Sequence, residues 1–369
     1  MTFLHTDMTS YLPLPLAPEA LTADWFTAAL APAYPGSRVE SARVVDVITG
    51  TSTKIRVALD HNAAGRAHGL PPTLIVKGGF EPHSVHMGFM YASEMRFYRD
   101  LLPRLPMNAP RCWFAASDPQ SHQAIVMMED LLPRGVRFCR AQQAHSYAEA
   151  SAFLEAMARW HAAWWDHPAL ADAGELGWVG STFDEFGWMY ANRYLDPAVW
   201  THWTGEPRGQ AVAAVLRDRE RVHAALLAVA LTRASATCTL VHGDTHPGNL
   251  YIEADGRPGF LDAQMRRAPW VQDVAYHLTA SLDLADRPRW EEALLAHYLE
   301  CLQRCGVAPP SFEQAWDAYR RELVYGLFIF LINETRFQTE ATNTAYAARF
   351  GAAVVQHRSI ERLLGPGES

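Results

Sequence analysis

The first third of the chain is a series of short apolar or alternating runs separated by turn residues. Residues 41–60 contain two such runs, and three more follow as PTLIVKGG (72–79), RCWFAAS (111–117) and QAIVMMEDL (123–131). Period-two alternation and short apolar runs bounded by turns are typical of strands. Between the third and fourth runs, MYASEMRFYRDLL (90–102) places apolar residues at helical spacing. We therefore predict an antiparallel sheet with one inserted helix.

An extended arm and a short helix precede these strands. Residues 1–18 contain prolines and little pattern, which predicts the arm. Residues 18–30 carry Leu21 and Trp25 on one helical face, which predicts an amphipathic helix.

Helical patterns rich in Ala, Leu and Trp dominate after residue 131. A long helix is predicted from Ser146, and Pro168 ends it because proline cannot continue a helix. Further helices follow to about Leu364, and residues 238–263 interrupt them with strand patterns.

This change of pattern divides the chain in two. Its 369 residues are enough for two lobes. We predict an α+β protein with an N-terminal lobe of residues 1–131, which includes the arm and first helix, and a helical lobe of residues 132–369.

Composition narrows the classes of partner. The net charge of −8 lacks the basic excess that is typical of nucleic-acid binders, so none is expected. The longest apolar run, LVYGLFIFLI (323–332), is too short for a membrane span. Five scattered cysteines without a CxxC pair, and no signal-peptide pattern, favour a cytoplasmic protein. We expect a monomer or a homodimer.

LVHGDTHPGNLYI (240–252) places two His, one Asp and one Asn within eight residues, and it overlaps the start of NLYIEADGRPGFLDAQ (249–264). Asp255-Gly256 between apolar runs predicts a two-residue hairpin turn, which would place Asn249 opposite Asp262. An amide oxygen beside a carboxylate suits Mg²⁺, a hard cation that prefers oxygen ligands. Asp244 precedes Asn249 by five residues and could accept the proton of an attacking hydroxyl.

The two histidines of this cluster leave a second interpretation open. His242 and His246 flank Asp244, and the three together could hold the metal of a metallohydrolase. Pro247 and Gly248 disfavour a helix across them, and no third histidine accompanies them, so supporting roles are preferred.

The motif VHGDTHPGN, with LDAQ downstream, resembles the aminoglycoside phosphotransferase and choline-kinase branch of the protein-kinase-like superfamily. The whole chain is similar to bacterial ecdysteroid-kinase-like phosphotransferases. The resemblance implies a bilobal protein-kinase-like fold with a smaller antiparallel-sheet lobe. It also implies Asp244 as catalytic base and Asn249 and Asp262 as magnesium ligands, with Gln264 as a support.

The resemblance predicts further parts in the N-terminal lobe. A strand lysine should bind the nucleotide phosphates and a helix glutamate should hold it, and Lys77 and Glu94 fit these roles. Backbone groups at Met128, Glu129 and Asp130 would contact the base, which leaves ATP and GTP both open.

The predicted phosphate loop departs from the family pattern. TGTSTKIR contains only Gly50, and Thr51, Ser52 and Thr53 would supply backbone and hydroxyl donors to phosphate oxygens. The resulting hypothesis is an ATP- and Mg²⁺-dependent kinase that phosphorylates a hydroxyl of a small metabolite, drug or lipid-like alcohol. A nucleotide-binding pseudokinase or scaffold module is the alternative from another class.

Overall fold

The computed structural model describes residues 12–365, which form two compact units. Residues 12–103 and 110–133 form the first unit, and residues 104–109 and 134–365 form the second. The second unit thus includes a six-residue segment from within the first part of the chain. Residues 1–11 of the predicted arm lie outside the described residues.

The first unit is built on a five-stranded antiparallel sheet in the order β1-β2-β3-β5-β4. Its strands are β1 Val39–Ile48, β2 Thr53–His61, β3 Thr73–Gly78, β4 Cys112–Asp118 and β5 Gln123–Glu129. All five were predicted from alternating or short apolar runs, and the antiparallel arrangement is confirmed.

Three helices accompany this sheet: α1 Ala23–Leu30, α2 Ala63–Ala67 and α3 Gly88–Arg96. Helix α1 starts at Thr22, whose side chain caps the Trp25 N–H. Its buried Phe26 packs with Ile55, Val57 and Val76 on one face of the sheet. Helix α2 was not predicted, because a five-residue helix shows too little periodicity.

The second unit is mainly helical. Its helices are α4 Tyr147–Ala163, α5 Glu185–Tyr194, α6 Pro197–Gly205, α7 Pro207–Gln210, α8 Arg219–Ala234, α9 Val271–Ser281, α10 Arg287–Arg304, α11 Phe312–Ile332, α12 Glu340–His357 and α13 Ser359–Leu364. Helix α4 begins at a capping box between Ser146 and Glu149. It ends at Ala163, before the predicted stop at Pro168.

Short strands interrupt these helices and form two small sheets. The strands are β6 Arg137–Phe138, β7 Thr239–Val241, β8 Leu250–Ile252, β9 Pro258–Phe260 and β10 Arg266–Ala268. One sheet has the order β6-β8-β9, and the other pairs β10 with β7. The polar cluster of the sequence therefore lies between β7 and β8.

The apolar run at residues 323–332 forms the end of α11. Leu323, Val324, Leu327, Phe328 and Phe330 are all buried there. Within residues 12–365, no helix is long and apolar enough to cross a membrane.

Candidate active site

Residues 242–249 form a loop that Asp273 of α9 holds from within the second unit. The N–H groups of His242 and Gly243 donate to the two Asp273 carboxylate oxygens at 2.6 and 2.9 Å. The Thr245 hydroxyl donates to the Asp273 carbonyl at 2.9 Å. Gly243 has φ +84, a left-handed conformation that glycine adopts without steric cost. The loop thus rests on a fully buried carboxylate.

Asp244 and Asn249 come together across this loop. The Asn249 Nδ2 donates to the Asp244 Oδ2 at 2.9 Å and to the Asp244 carbonyl at 3.0 Å. Because the amide nitrogen is held twice, the amide orientation is set and Oδ1 is the atom that Asn249 can offer to a cation. The Asp244 side chain stays 30% exposed, so a substrate can reach it.

The Asp244 carboxylate is ionised near neutral pH. Burial raises its pKa, but His246, followed by His242 and the Tyr276 hydroxyl, lowers it more, and the pKa lies below its ordinary value. The His246 Nε2 is 3.5 Å from the Asp244 Oδ2. A carboxylate in this state is ready to accept a proton or a hydroxyl hydrogen bond.

The predicted hairpin exists, but its predicted register is wrong by one residue. Leu250 pairs with Phe260 and Tyr251 with Gly259, and the Leu261 N–H donates to the Asn249 carbonyl at 2.8 Å. Asn249 therefore lies opposite Leu261, and not opposite Asp262.

The reason for the shift is the length of the turn. The Glu253 N–H donates to the Arg257 carbonyl, which leaves a three-residue loop of 254–256. Gly256 adopts φ +86 there, as three-residue hairpins with a left-handed residue require. Asp262 lies two residues beyond the end of β9 and has φ +52, an uncommon left-handed conformation for a residue other than glycine.

The two histidines of the cluster have supporting roles. The buried His242 donates from Nε2 to the Leu261 carbonyl at 2.8 Å, and its Nδ1 accepts the Asp244 N–H at 3.3 Å. Burial lowers its pKa. The Nδ1 of His246 accepts the Gly248 N–H at 3.0 Å. With both nitrogens of His242 engaged, the His242, Asp244 and His246 set does not form a metal site, and no other cluster of three such ligands occurs within residues 12–365.

In the first unit, Lys77 of β3 and Glu94 of α3 form a buried ion pair. The Lys77 Nζ is 2.5 Å from the Glu94 Oε1, and both side chains are less than a tenth exposed. Lysine is rarely buried without a partner. The pairing that the resemblance implies is therefore present in the structure.

The predicted phosphate loop is anchored to α3. Thr51 and Ser52 lie in the β1–β2 turn, and Thr53 begins β2 with a buried hydroxyl. The Tyr91 hydroxyl of α3 donates to the Thr51 carbonyl at 2.6 Å and also contacts the Ser84 hydroxyl. Sequence patterns did not identify Tyr91, because its partner is 40 residues away.

The predicted base-binding segment lies at the end of β5. The Glu129 N–H already donates to the Arg111 carbonyl at 2.8 Å, and Met128 pairs with Ile75 of β3. Asp130 accepts from the Leu132 N–H and pairs with Arg56 at 3.2 Å. Of the three predicted residues, Glu129 therefore already uses its backbone N–H in a hydrogen bond within the protein.

Comparisons with known proteins agree with this fold. Residues 90–320 match the profile described as the phosphotransferase enzyme family. No curated protein matches the chain.

Solved structures of similar fold have low sequence identity. The ethanolamine kinase of Plasmodium vivax is 11% identical with a TM-score of 0.51, covering 86% of this chain and 83% of that one. The choline kinase LicA of Streptococcus pneumoniae is 14% identical with a TM-score of 0.50, covering 91% and 98%. APH(2")-IIIa, solved with GDP and kanamycin, is 10% identical with a TM-score of 0.52, covering 90% and 98%.

These likenesses confirm the protein-kinase-like fold, and the profile match covers more than half of the chain. The loop at Asp244, the Lys77–Glu94 pair and the profile match lead to one conclusion: the chain belongs to the phosphotransferase enzyme family.

Proposed function

We propose that this enzyme is an ATP- and Mg²⁺-dependent kinase that transfers the γ-phosphate to a hydroxyl of a small molecule. The observation that carries the proposal is the ionised Asp244 carboxylate, held by the Asn249 amide on a loop that the buried Asp273 supports. Nucleotide use is also supported by similar folds solved with GDP or AMP.

Asp244 would act as the proton acceptor. As the acceptor oxygen forms its bond to the γ-phosphorus, the bond from that phosphorus to the β–γ bridging oxygen breaks. The hydroxyl proton passes to an Asp244 carboxylate oxygen, and the nucleoside diphosphate leaves. The low pKa of Asp244 makes it a weak base, which suits a transfer late in the reaction, when the attacking hydroxyl has become acidic.

Asn249 Oδ1 and the Asp262 carboxylate would hold the metal ion, which neutralises phosphate charge when bound. Lys77, oriented by Glu94, would bind the α- and β-phosphates. Thr51, Ser52 and Thr53 would contact phosphate oxygens, and backbone groups of the Met128 to Asp130 segment would contact the base.

The test is an Asp244→Asn variant assayed with ATP, Mg²⁺ and a panel of alcohols. We expect kcat to fall by about 10²–10⁴-fold, because the proton acceptor is lost while the shape is kept. Nucleotide binding, measured by calorimetry, should remain. Chelation of Mg²⁺ should abolish transfer by the wild-type enzyme.

Asp255→Asn is the matched control, since Asp255 lies in the exposed hairpin turn and bonds to Arg257. It should leave kcat unchanged. Near-normal kcat in Asp244→Asn would refute the mechanism. If nucleotide binds but no alcohol is phosphorylated, the pseudokinase alternative is favoured.

A further inference from the structure

Four aromatic side chains of the second unit form a surface beside Asp244, and we name them the aromatic wall: Phe183, Trp188, Tyr276 and Tyr325. The Tyr276 ring lies 6.2 Å from Tyr325, which lies 5.8 Å from Phe183, and Phe183 stacks on Trp188 at 5.1 Å. All except Tyr276 are only half-buried, so the wall is accessible to a ligand.

The wall reaches the catalytic carboxylate. The Tyr276 ring centre lies 6.4 Å from that of His246, and the His246 Nε2 is 3.5 Å from the Asp244 Oδ2. The Tyr276 hydroxyl also lowers the Asp244 pKa. Tyr276 is followed along the wall by Tyr325 and Phe183. An acceptor whose hydroxyl meets Asp244 would therefore place its body against these rings.

The ring faces already hold a cation. The Arg233 guanidinium lies 4.7 Å from the Phe183 ring centre and 4.6 Å from that of Tyr325. Aromatic faces are where proteins recognise ammonium groups, and here a protein side chain occupies that position. A cationic acceptor would therefore find these ring faces already covered by the Arg233 guanidinium.

The carboxylates near the wall are also engaged. Glu322 binds Arg233, with 3.2 Å between the Glu322 Oε2 and the Arg233 Nε. Glu334 accepts the Tyr194 hydroxyl at 2.5 Å and pairs with Arg336 at 2.8 Å. These acids are already neutralised within the protein, whereas a polycationic ligand needs carboxylates that it can pair with.

We propose that the acceptor is an uncharged alcohol with an aromatic or otherwise apolar body, bound on the aromatic wall with its hydroxyl at Asp244. This inference rests on the proposed function and specifies its substrate class. Burial of apolar area against the rings would supply binding energy, and the Asp244 carboxylate would orient the hydroxyl.

The test compares two alcohols of nearly the same shape that differ in charge. Choline carries a quaternary ammonium, and 3,3-dimethylbutan-1-ol replaces that nitrogen by carbon. The wild-type enzyme is assayed with ATP and Mg²⁺ by detection of the phosphorylated product, with 2-phenylethanol and kanamycin as further neutral and cationic probes. We expect kcat/KM for the neutral alcohols to exceed that for the cationic ones by roughly tenfold or more. An equal or higher kcat/KM for choline or kanamycin would overturn the proposal.

A paired variant tests the cause of the preference. The double variant Arg233→Met, Glu322→Gln removes both charges, so that neither charge is left buried without its partner. It also removes the guanidinium that covers the ring faces. The preference for the neutral alcohol should shrink by several-fold. Arg320→Met is the control, because Arg320 lies on α11, the helix of Glu322, and its guanidinium lies 5.3 Å from the centre of a different ring, that of Trp316. An unchanged preference in the paired variant would contradict the role of Arg233.

Failure of the proposed function gives a different result. In that case no alcohol of either charge class yields a phosphorylated product, and this inference falls with it. A product that forms with the opposite charge preference would overturn only the substrate class.

Discussion

Lys77 and Glu94 form one ion pair to which we assign two roles, in stability and in the proposed binding of nucleotide. Both side chains are buried, so each charge depends on the other for its compensation. Removal of one partner of such a pair is costly, whereas removal of both is far less so. The two roles of Lys77 can therefore be separated by experiment.

We predict that Lys77→Met lowers the free energy of unfolding by about 3–5 kcal/mol, because Glu94 is left buried without its lysine. Adding Glu94→Gln should recover much of this loss. Both variants should bind the nucleotide more weakly than the wild type does, because both lack Lys77, the proposed phosphate-binding residue. Urea unfolding and nucleotide titration are the measurements. Wild-type nucleotide affinity in the double variant would show that Lys77 does not bind phosphate.

The sequence predicted the contacts of some site residues and missed those of others. Asp244 and Asn249 are five residues apart in the sequence, and the short loop between them keeps them close in space. Their contact could therefore be predicted from the sequence. The sequence leaves two roles open for Asp273, a helix cap or a support of the catalytic loop, and the structure shows the support, because its carboxylate accepts two loop N–H groups. Tyr276 and Tyr91 were missed, because their partners are distant in sequence and tyrosine has no motif of its own.

Among the helices and strands, α3 links two predicted parts of the nucleotide site. Glu94 and Tyr91 lie three residues apart and therefore on neighbouring positions of one helix face. Glu94 holds Lys77, and the Tyr91 hydroxyl holds the Thr51 carbonyl of the β1–β2 turn. The helix thus positions both the lysine and the β1–β2 turn that is predicted to bind phosphate.

We predict that Tyr91→Phe raises the KM for ATP by roughly 2–10-fold and changes kcat little, because one hydrogen bond that positions the loop is lost. The ring remains, so the unit should stay folded. Initial rates at varied ATP measure the effect.

Tyr34→Phe serves as the comparison, since the Tyr34 ring packs on Trp113 in the same unit. Its KM should equal that of the wild type. A kcat loss without a KM change in Tyr91→Phe would argue against a positioning role in nucleotide binding.

Strand prediction succeeded where strands are long and failed in detail where they are short. The five strands of the first unit have six to ten residues and alternate or run apolar, which suffices for identification. In contrast, β8 and β9 have three residues each, and the turn between them sets their register. Asp-Gly is compatible with both a two- and a three-residue loop, and that difference moved the partner of Asn249 by one position.

Across the chain, two buried histidines link stability to pH. His145 stacks on Phe153 at 5.2 Å, and His277 lies 5.5 Å from His145. Burial, followed by nearby positive groups, lowers the pKa of His145 to about 4 and that of His277 to about 3. In the unfolded chain both would titrate near 6.5. Between these values the unfolded state binds more protons, so stability falls as pH decreases below 6.5.

We predict that His145→Phe reduces this acid sensitivity. The variant has no histidine at this position that could gain a proton on unfolding. Between pH 7.5 and pH 5, its free energy of unfolding should therefore decrease by about 2 kcal/mol less than that of the wild type. Neither ring nitrogen of His145 has a hydrogen-bond partner, so little is lost at neutral pH. Urea unfolding at pH 5 and pH 7.5 tests this. Parallel stability losses in both proteins would exclude His145 as the cause.

The sequence alone was sufficient for the α+β class, the sheet of the first unit and the loop from His242 to Asn249. These features depend on local patterns: alternation along a strand, the spacing of Asp244 and Asn249, and proline and glycine between them. A pattern of this kind is present before the chain folds.

The hairpin register, the Asp273 support, the Tyr91 anchor and the aromatic wall required the folded structure. Each depends on contacts between residues that are far apart along the chain, and in the hairpin on a turn that two loop lengths could satisfy. Arg233 shows the consequence most clearly. Only packing of α8 against α11 places its guanidinium over Tyr325, and that placement is the basis of the uncharged acceptor that we propose.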